Sequence, residues 1–434
     1  MSPTFRALRV RNYRLYALGG VVSNTGTWMQ RVAQDWLVLQ LHHGSAAEAS
    51  TALGLTTGLQ FLPILLFSPY AGLVADRMPK RRLLQLTQAA MGVTSLLLGG
   101  LAITGVVTTP MVFAIAFLFG IGSAFDAPAR QSFVSEMVGP DDLANAVGLN
   151  SASFNLARVM GPALSGFLIA AMGSGIRATG AVILLNGVSY LAVIAALQVM
   201  RPHELSPVPR APRSKGMIRD GVRYVRGRPD LMLILVAAFF AGTFGMNFQM
   251  TSALMATQVF HKGPGEYGLL GTTLAVGSLT GALLGARREG RPRQRLVVLA
   301  GLAFGTVEIA LGLMPSYLTF ALLTPVLGLC LLTMLNAANT TVQLSVSPQM
   351  RGRVMALYMM LVMGGTPLGA PVVGWVGATF GARWTLIGGG AMTILGVLIA
   401  VAVFGGLGGP LRGRVARDGR LGEADADSDP ALAA

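Results

Sequence analysis

One cysteine, Cys330, in 434 residues excludes any disulfide within the chain. It falls inside an apolar stretch, where it is expected to be a small core residue. Histidine is almost as scarce: His42, His43, His203 and His261 all fall between apolar stretches, and no His-x-x-x-His pair occurs. There is no Ser/His/Asp constellation in context and no Gly-x-x-x-x-Gly-Lys-Ser/Thr loop, which argues against an enzyme and against direct drive by ATP. No cofactor and no metal are expected. Charge is sparse too: charged residues are 12% of the chain, with 18 acidic against 33 basic.

In place of charge stands apolar sequence, with 53% hydrophobic residues and 56 glycines. It comes in stretches long enough to cross a bilayer. The spacing predicts twelve spans: Leu15–Leu41, Ala52–Ala75, Leu83–Gly105, Met111–Val134, Leu143–Met172 and Ala178–Met200, then Leu231–Thr257, Tyr267–Ala286, Leu296–Leu313, Tyr317–Val346, Val354–Phe380 and Trp384–Gly405. Backbone polar groups in lipid must be satisfied internally, so unalternating runs of this length are helices rather than barrel strands.

The basic residues are distributed with a rule. About 27 of the 33 lie in every second gap between spans. Only Arg177, Lys262 and Arg383 fall in the other gaps, and Arg31, Arg130 and Arg158 lie inside spans. That alternation predicts a multi-pass membrane protein with both termini on the cytoplasmic face. The net charge of +15 then reads as topology and attraction to anionic membrane lipid, not as a nucleic-acid surface, which would gather on a polar domain. No signal peptide is evident, because the first apolar stretch is too long for one.

The expected organisation is a basic N-terminus (1–14), a six-helix bundle (15–200), a cytoplasmic linker (201–230), a second six-helix bundle (231–405) and a disordered tail (406–434). The linker opens with Pro202, Pro207, Pro209 and Pro212, then sets Met217, Ile218, Val222 and Val225 among Lys215, Arg219, Arg223, Arg226 and Arg228. Such spacing suits an amphipathic helix on the inner membrane surface. An offset of 208 residues aligns Gln131–Gly173 with Asn339–Gly381, matching Pro140 to Pro348 and Gly161, Gly166 and Gly173 to Gly369, Gly374 and Gly381. A six-span offset means parallel halves, as in transporters that hold substrate between two rocking bundles.

Between the second and third spans the chain reads Gly72-x-x-x-Asp76-Arg77-x-Pro79-Lys80-Arg81-Arg82. This resembles the cytoplasmic loop of the major facilitator superfamily, with Pro79 in place of a glycine. The resemblance implies a gating role for Gly72, Asp76, Arg77, Arg81 and Arg82. Gly148, Ala157, Gly161-Pro162 and Ser165-Gly166 follow the spacing of the superfamily's antiporter motif, with alanine and serine replacing two glycines; Arg158 sits among them. Phe5 to Arg14, Gly26-Thr-Trp28-Met-Gln30 to Asp35-Trp36-Leu37 and Asp126-Ala-Pro128-Ala-Arg130-Gln131 are similar to the bacterial group that includes siderophore exporters and macrolide-efflux-like drug:proton antiporters. The resemblance implies an all-α fold of two pseudo-symmetric six-helix bundles and proton-coupled export of small apolar or amphipathic compounds. It implies a place in the bacterial cytoplasmic (inner) membrane, with a small-molecule substrate and protons as partners; anionic membrane lipid is a further expected partner, and a monomer is expected.

Ionisable residues inside spans are costly and functional by default. Arg31 and Asp35 share a helix face four residues apart, and Asp126 and Arg130 repeat the arrangement near an inner helix end, with Glu136 just beyond. Glu308 stands alone in the ninth span. A carboxyl that exchanges a proton for an arginine as helices rearrange could couple export to proton entry, which makes Asp35, Arg31 and Glu308 the coupling candidates. Asp126–Arg130 reads better as an inner gating or structural pair. Gln60, Asn155, Asn247, Gln249, Asn336 and Asn339 are cavity candidates, each of which could equally be interhelical glue. The alternative transporter reading is metabolite uptake by symport or facilitated diffusion; the alternative class is a non-transporting sensor or membrane-embedded enzyme.

Overall fold

The computed structural model describes residues 3–206, 217–287 and 294–405. Pro207, Pro209, Pro212 and Lys215 of the linker, residues 288–293 and the tail beyond Gly405 lie outside the described residues. Helix is the only regular structure among the described residues. The first bundle comprises α1 (Arg11–Leu41), α2 (Ala46–Arg77), α3 (Lys80–Thr104), α4 (Thr109–Met137), α5 (Pro140–Ala171) and α6 (Ile176–Val199). A short α7 (Met217–Arg226) precedes the second bundle. There, α8 (Pro229–Phe240) continues through a widened π turn at Ala241–Gly245 into α9 (Phe248–Leu254) and a second π turn at Met255–Val259. The remainder is α10 (Pro264–Ala286), α11 (Gln294–Gly312), α12 (Tyr317–Ser345), α13 (Pro348–Gly364), α14 (Thr366–Phe380) and α15 (Ala382–Ala400).

Helix starts follow local chemistry. Ser45 accepts a hydrogen bond from the Glu48 amide at the head of α2, and Ser316 and Thr319 form a reciprocal capping box at the head of α12. Pro140 and Pro348, equivalent by the 208-residue offset, each open a helix where a missing N–H costs nothing. The two copies then diverge. α5 runs unbroken, with Ala157 buried within it, whereas the second copy breaks between α13 and α14 at Gly365. Gly364 and Gly365 weaken that turn and Pro367 removes a ladder donor.

Eleven helical segments among the described residues are long and apolar enough to cross a membrane, with the α8–α9 and α13–α14 pairs each forming one. The expected twelfth, Leu15–Leu41, lies in α1, which is long enough but not equally apolar because Gln30, Arg31, Gln34 and Asp35 lie along it. α1 nevertheless packs against α5 and α6 inside the first bundle. Its polar groups face neighbouring helices, which is where a membrane protein can hold them.

Two seams join the bundles, α2 against α14 and α5 against α10. Both are built from backbone approaching backbone. A β-carbon added at Gly54 would lie 2.6 Å from the Ala370 carbonyl oxygen, and one at Gly374 would lie 2.7 Å from that of Ser50. In the other seam Gly166 abuts the Pro264 carbonyl, Gly268 abuts that of Pro162, and Thr272 donates to the Val159 carbonyl at 2.7 Å. These approaches lie towards the end of the bundles remote from Phe5 and Gly405, called the far end below; the opposite is the terminal end. Near the terminal end, Gly148 of α5 has open space around it.

α7 forms where an amphipathic helix is expected, but its apolar side lies on protein. Val225 is buried, Gly221 faces Leu357 of α13, and Asp220 pairs with Arg353 at 2.9 Å. Arg219, Arg223 and Arg226 remain exposed on the other face. At the same end, Arg6 pairs with Asp142 and the Ala7 amide donates to Asn145, tying the N-terminal segment to α5.

Candidate coupling site and interdomain latch

Asp35 lies on α1, under two turns from the far end, and is 6% exposed. Its carboxylate accepts a hydrogen bond from the Tyr267 hydroxyl at 2.8 Å and another from the Gln249 amide at 3.0 Å. Both donors belong to the second bundle, Gln249 on α9 and Tyr267 on the first turn of α10. The same hydroxyl lies 3.4 Å from the Gln249 carbonyl oxygen, and the Tyr267 ring stacks with Trp36. One carboxylate of the first bundle is therefore held by two donors of the second.

Arg31 is not the partner expected for Asp35. No ion pair joins the two; the guanidinium lies 4.6 Å from the Trp28 ring centre and 5.5 Å from that of Phe61, with its Nε unbonded. The i, i+4 spacing sets both on one helix face, but the aromatic rings hold the cation while the acid turns to the other bundle. Arg158 is half-buried and has no hydrogen-bond or ion-pair partner among the described residues.

Asp126 and Arg130 do meet, at 2.8 Å, and Asp126 also accepts from Thr87 at 2.9 Å and Gln88 at 2.8 Å. Ser23 extends the chain by donating to Gln88. A carboxylate with three donors inside one bundle is a fixed structural node. Glu136 is drawn away from it and pairs with Lys80 of the loop. In that loop Arg81 reaches the Leu197 and Gln198 carbonyls at the end of α6, binding the loop to its own bundle. Asp76, Arg77 and Arg82 are exposed beside it, and Gly72 is half-buried.

The antiporter-like helix divides its labour. Gly161 packs against Trp28 and the Thr25 carbonyl of α1, within the first bundle, while Pro162 and Gly166 carry the seam with α10. Ala157 and Ser165 are buried. Among the cavity candidates, Gln249 binds Asp35, and Gln60 accepts from Gln34 at 3.0 Å. Asn155 bonds its own helix at Ser151, Asn339 accepts from Gln343, and Asn336 lies near Gly285. Asn247 donates to the Thr243 and Phe244 carbonyls, and Glu308 is buried in α11.

No local pattern marks Tyr267, Gln34, Asn186 or Tyr190 as site residues; Gln30 and Thr27, family cues in the sequence, join Asn186 and Tyr190 in one hydrogen-bonded chain. A tyrosine one turn inside a helix start was the available signal for Tyr267. At the far end a cavity of about 410 Å³ lies between the bundles, lined by Trp36, Gln40, His43, Gln258, His261 and Lys262 among others. Gln258 crosses here to the Ala46 carbonyl at 3.0 Å, a further polar tie between the bundles besides the Asp35 contacts and Thr272–Val159.

Residues 2–404 match the family described as transmembrane secretion effector. The chain belongs to this family, a branch of the major facilitator superfamily. As a transmembrane secretion effector it is 26% identical over 401 residues to the multidrug efflux pump Tap of Mycolicibacterium fortuitum, covering 90% of this chain and 94% of that one. It is 23% identical over 261 residues to the staphyloferrin A transporter of Staphylococcus aureus, covering 60% and 63%. Among solved structures, an inward-facing, occupied bacterial homologue of the human lysosomal transporter Spinster superimposes with a TM-score of 0.71 at 17% identity, over 90% of this chain and 96% of that one. The D-xylose–proton symporter gives 0.69 at 14% identity over the same shares. Family and fold make the protein a multi-pass membrane transporter, not an enzyme.

Proposed function

We propose that this transporter exports small apolar or amphipathic compounds from the cytoplasm in exchange for protons, and that the structure represents its inward-open state. The relatives named as a multidrug efflux pump and a siderophore transporter support the cargo class. The observation that carries the coupling is the Asp35 carboxylate gripped across the interface by Tyr267 and Gln249. A deprotonated Asp35 holds the far end shut, so an empty carrier that has released its proton stays inward-open. Substrate binding supplies the energy to part the latch. Once the far end is open, a proton from outside neutralises the acid. Burying a neutral carboxyl costs far less than burying a carboxylate, so the far end can close again. In this cycle the proton competes with Tyr267 and Gln249 for Asp35, not with Arg31.

The test is efflux of a hydrophobic dye from proteoliposomes under an imposed pH gradient. Accumulation should follow the gradient and collapse when an uncoupler dissipates it. Accumulation that survives the uncoupler would exclude proton coupling.

The reading also includes orientation, with the terminal end cytoplasmic. In a Cys330→Ala background, His43→Cys or Gly263→Cys should react with an impermeant thiol reagent applied to intact cells, whereas Lys80→Cys should react only after permeabilisation. The reverse pattern would invert the topology and turn export into uptake. The exposed Arg219, Arg223 and Arg226 of α7 then face the inner leaflet, where each basic residue near an anionic surface contributes about 1 kcal/mol.

A further inference from the structure

Glu308 is 1% exposed, and its Oε2 has no hydrogen-bond partner. A carboxyl so placed is among the most expensive groups a membrane protein can keep. It lies about one turn from the far end of α11, opposite Gly389 of α15. A β-carbon built at Gly389 would sit 2.9 Å from Glu308 Oε1 and 2.9 Å from the Phe244 carbonyl oxygen. The absent side chain thus leaves a gap bordered by a carboxyl oxygen and a main-chain oxygen. Phe244 belongs to the π turn at Ala241–Gly245, a widened turn of the kind that frees carbonyls from the helical ladder. Asn247 donates to that carbonyl at 3.3 Å and to the Thr243 carbonyl at 2.8 Å, and its own Oδ1 is buried without a partner.

Nothing basic compensates the acid. Residues 241–259 and α12 carry no Asp, Glu, His, Lys or Arg. The other charged residues of α11 and α15 are Arg295, at the terminal end, and Arg383, which donates to the Gly312 and Met314 carbonyls. A carboxyl, a freed carbonyl and an orphaned amide oxygen are hard oxygen donors that suit a small cation. Two residues beyond Asn247, the same segment presents Gln249 to Asp35.

We infer that Glu308, the Phe244 carbonyl and Asn247 form a monovalent-cation site buried in the second bundle, occupied by a proton or a sodium ion, whose occupancy fixes the kinked segment that offers Gln249 to Asp35. The site is separate from the interdomain latch and acts on it through residues 241–249. This deepens the exporter reading and rests on it only for the meaning of the latch.

The experiment reads the latch without transport. Spin labels at His43→Cys and Gly263→Cys, in Cys330→Ala protein in nanodiscs, report the far-end separation. Sodium is titrated against choline at fixed pH, and pH is titrated in choline. The wild type should shift its distance distribution in one of the two series; response to sodium assigns the ion as sodium, and response to pH alone assigns it as a proton. Glu308→Gln should abolish a sodium response. Because Asp35 itself takes up a proton, the pH series is read in the Asp35→Asn background, where adding Glu308→Gln should abolish the remaining response. Gly389→Ala, which fills the gap but keeps the acid, should raise the half-effective ion concentration at least about tenfold, equivalent to about 1.4 kcal/mol of lost binding. Asp35→Asn serves as the separating control: it should alter the distribution yet leave the half-effective concentration near that of wild type. No response in either series, or a response so read that Glu308→Gln leaves unchanged, would overturn the site. If the response is present but wild-type efflux ignores the proton gradient, the proton-coupled reading of the latch fails and the ion site stands.

Discussion

Asp35→Asn should abolish uphill export while preserving exchange of substrate down its own gradient. The acid is the only charged group in the latch with Tyr267 and Gln249. Hydrogen bonds to a charged group contribute about 1.5–3 kcal/mol each, whereas neutral interhelical bonds in membranes average about 0.6 kcal/mol. Two charge-assisted bonds are therefore comparable with the roughly 5.5 kcal/mol that moves a two-state equilibrium from 1:99 to 99:1. Asparagine keeps the shape and the acceptor oxygen but holds the site permanently neutral. The empty carrier would then cross without a proton, and the gradient would no longer be spent on cargo. Counterflow of a labelled dye in proteoliposomes should persist at a rate within a few-fold of wild type, with accumulation against a gradient absent. Accumulation at the wild-type level would remove Asp35 from coupling. Tyr267→Phe deletes one donor and should give an intermediate phenotype with partial uncoupling.

Gly166→Val should cost nearly all transport by a different route. In the closed seam even one methyl at this position would overlap the Pro264 carbonyl, and backbone cannot move aside as a flexible side chain can. Overpacking of this kind costs about 1–3 kcal/mol or more, and about 1.4 kcal/mol already depopulates the far-end-closed state tenfold. The carrier should accumulate with its far end open, so a cysteine at Gln258, which crosses to the Ala46 carbonyl in the closed state, should label from outside faster than in the wild-type background. Efflux should fall by roughly tenfold or more, in proportion to that lost population. Gly148→Val is the control, since nothing lies within 4 Å of a β-carbon there. Equal loss in both variants would mean that α5 tolerates no added bulk and that the seam is not the cause.

What the sequence disclosed about these groups depended on how far away their partners were. Asp126–Arg130 was readable because both members lie on one helix at the spacing that brings side chains together. The same spacing misled at Arg31–Asp35. It reports a shared helix face, but an aromatic ring and a neighbouring bundle can each outbid a neighbour along the helix, and both do here. Tyr267 lies 232 residues from Asp35, beyond any local pattern. The helical spans were legible as apolar runs, with α1 blurred by its own buried polar groups. The break between α13 and α14 had its signals in Gly364, Gly365 and Pro367, yet the apolar run continues across them and hides the interruption.

The character of the two seams bears on how quickly the carrier can turn over. Where glycine meets a carbonyl, at Gly54, Gly374, Gly166 and Gly268, no side chain has to withdraw before the bundles part. Separation then requires little rotamer rearrangement, and lipid or cargo can follow the retreating surface. The contact is firm in compression and weak in tension, like two smooth plates. Holding strength is therefore concentrated in a few polar ties, Asp35 with Tyr267 and Gln249, Gln258 with Ala46, and Thr272 with Val159. Throughput and fidelity are thereby assigned to different atoms: the backbone sets how easily the bundles slide, and a handful of hydrogen bonds decides when they are permitted to.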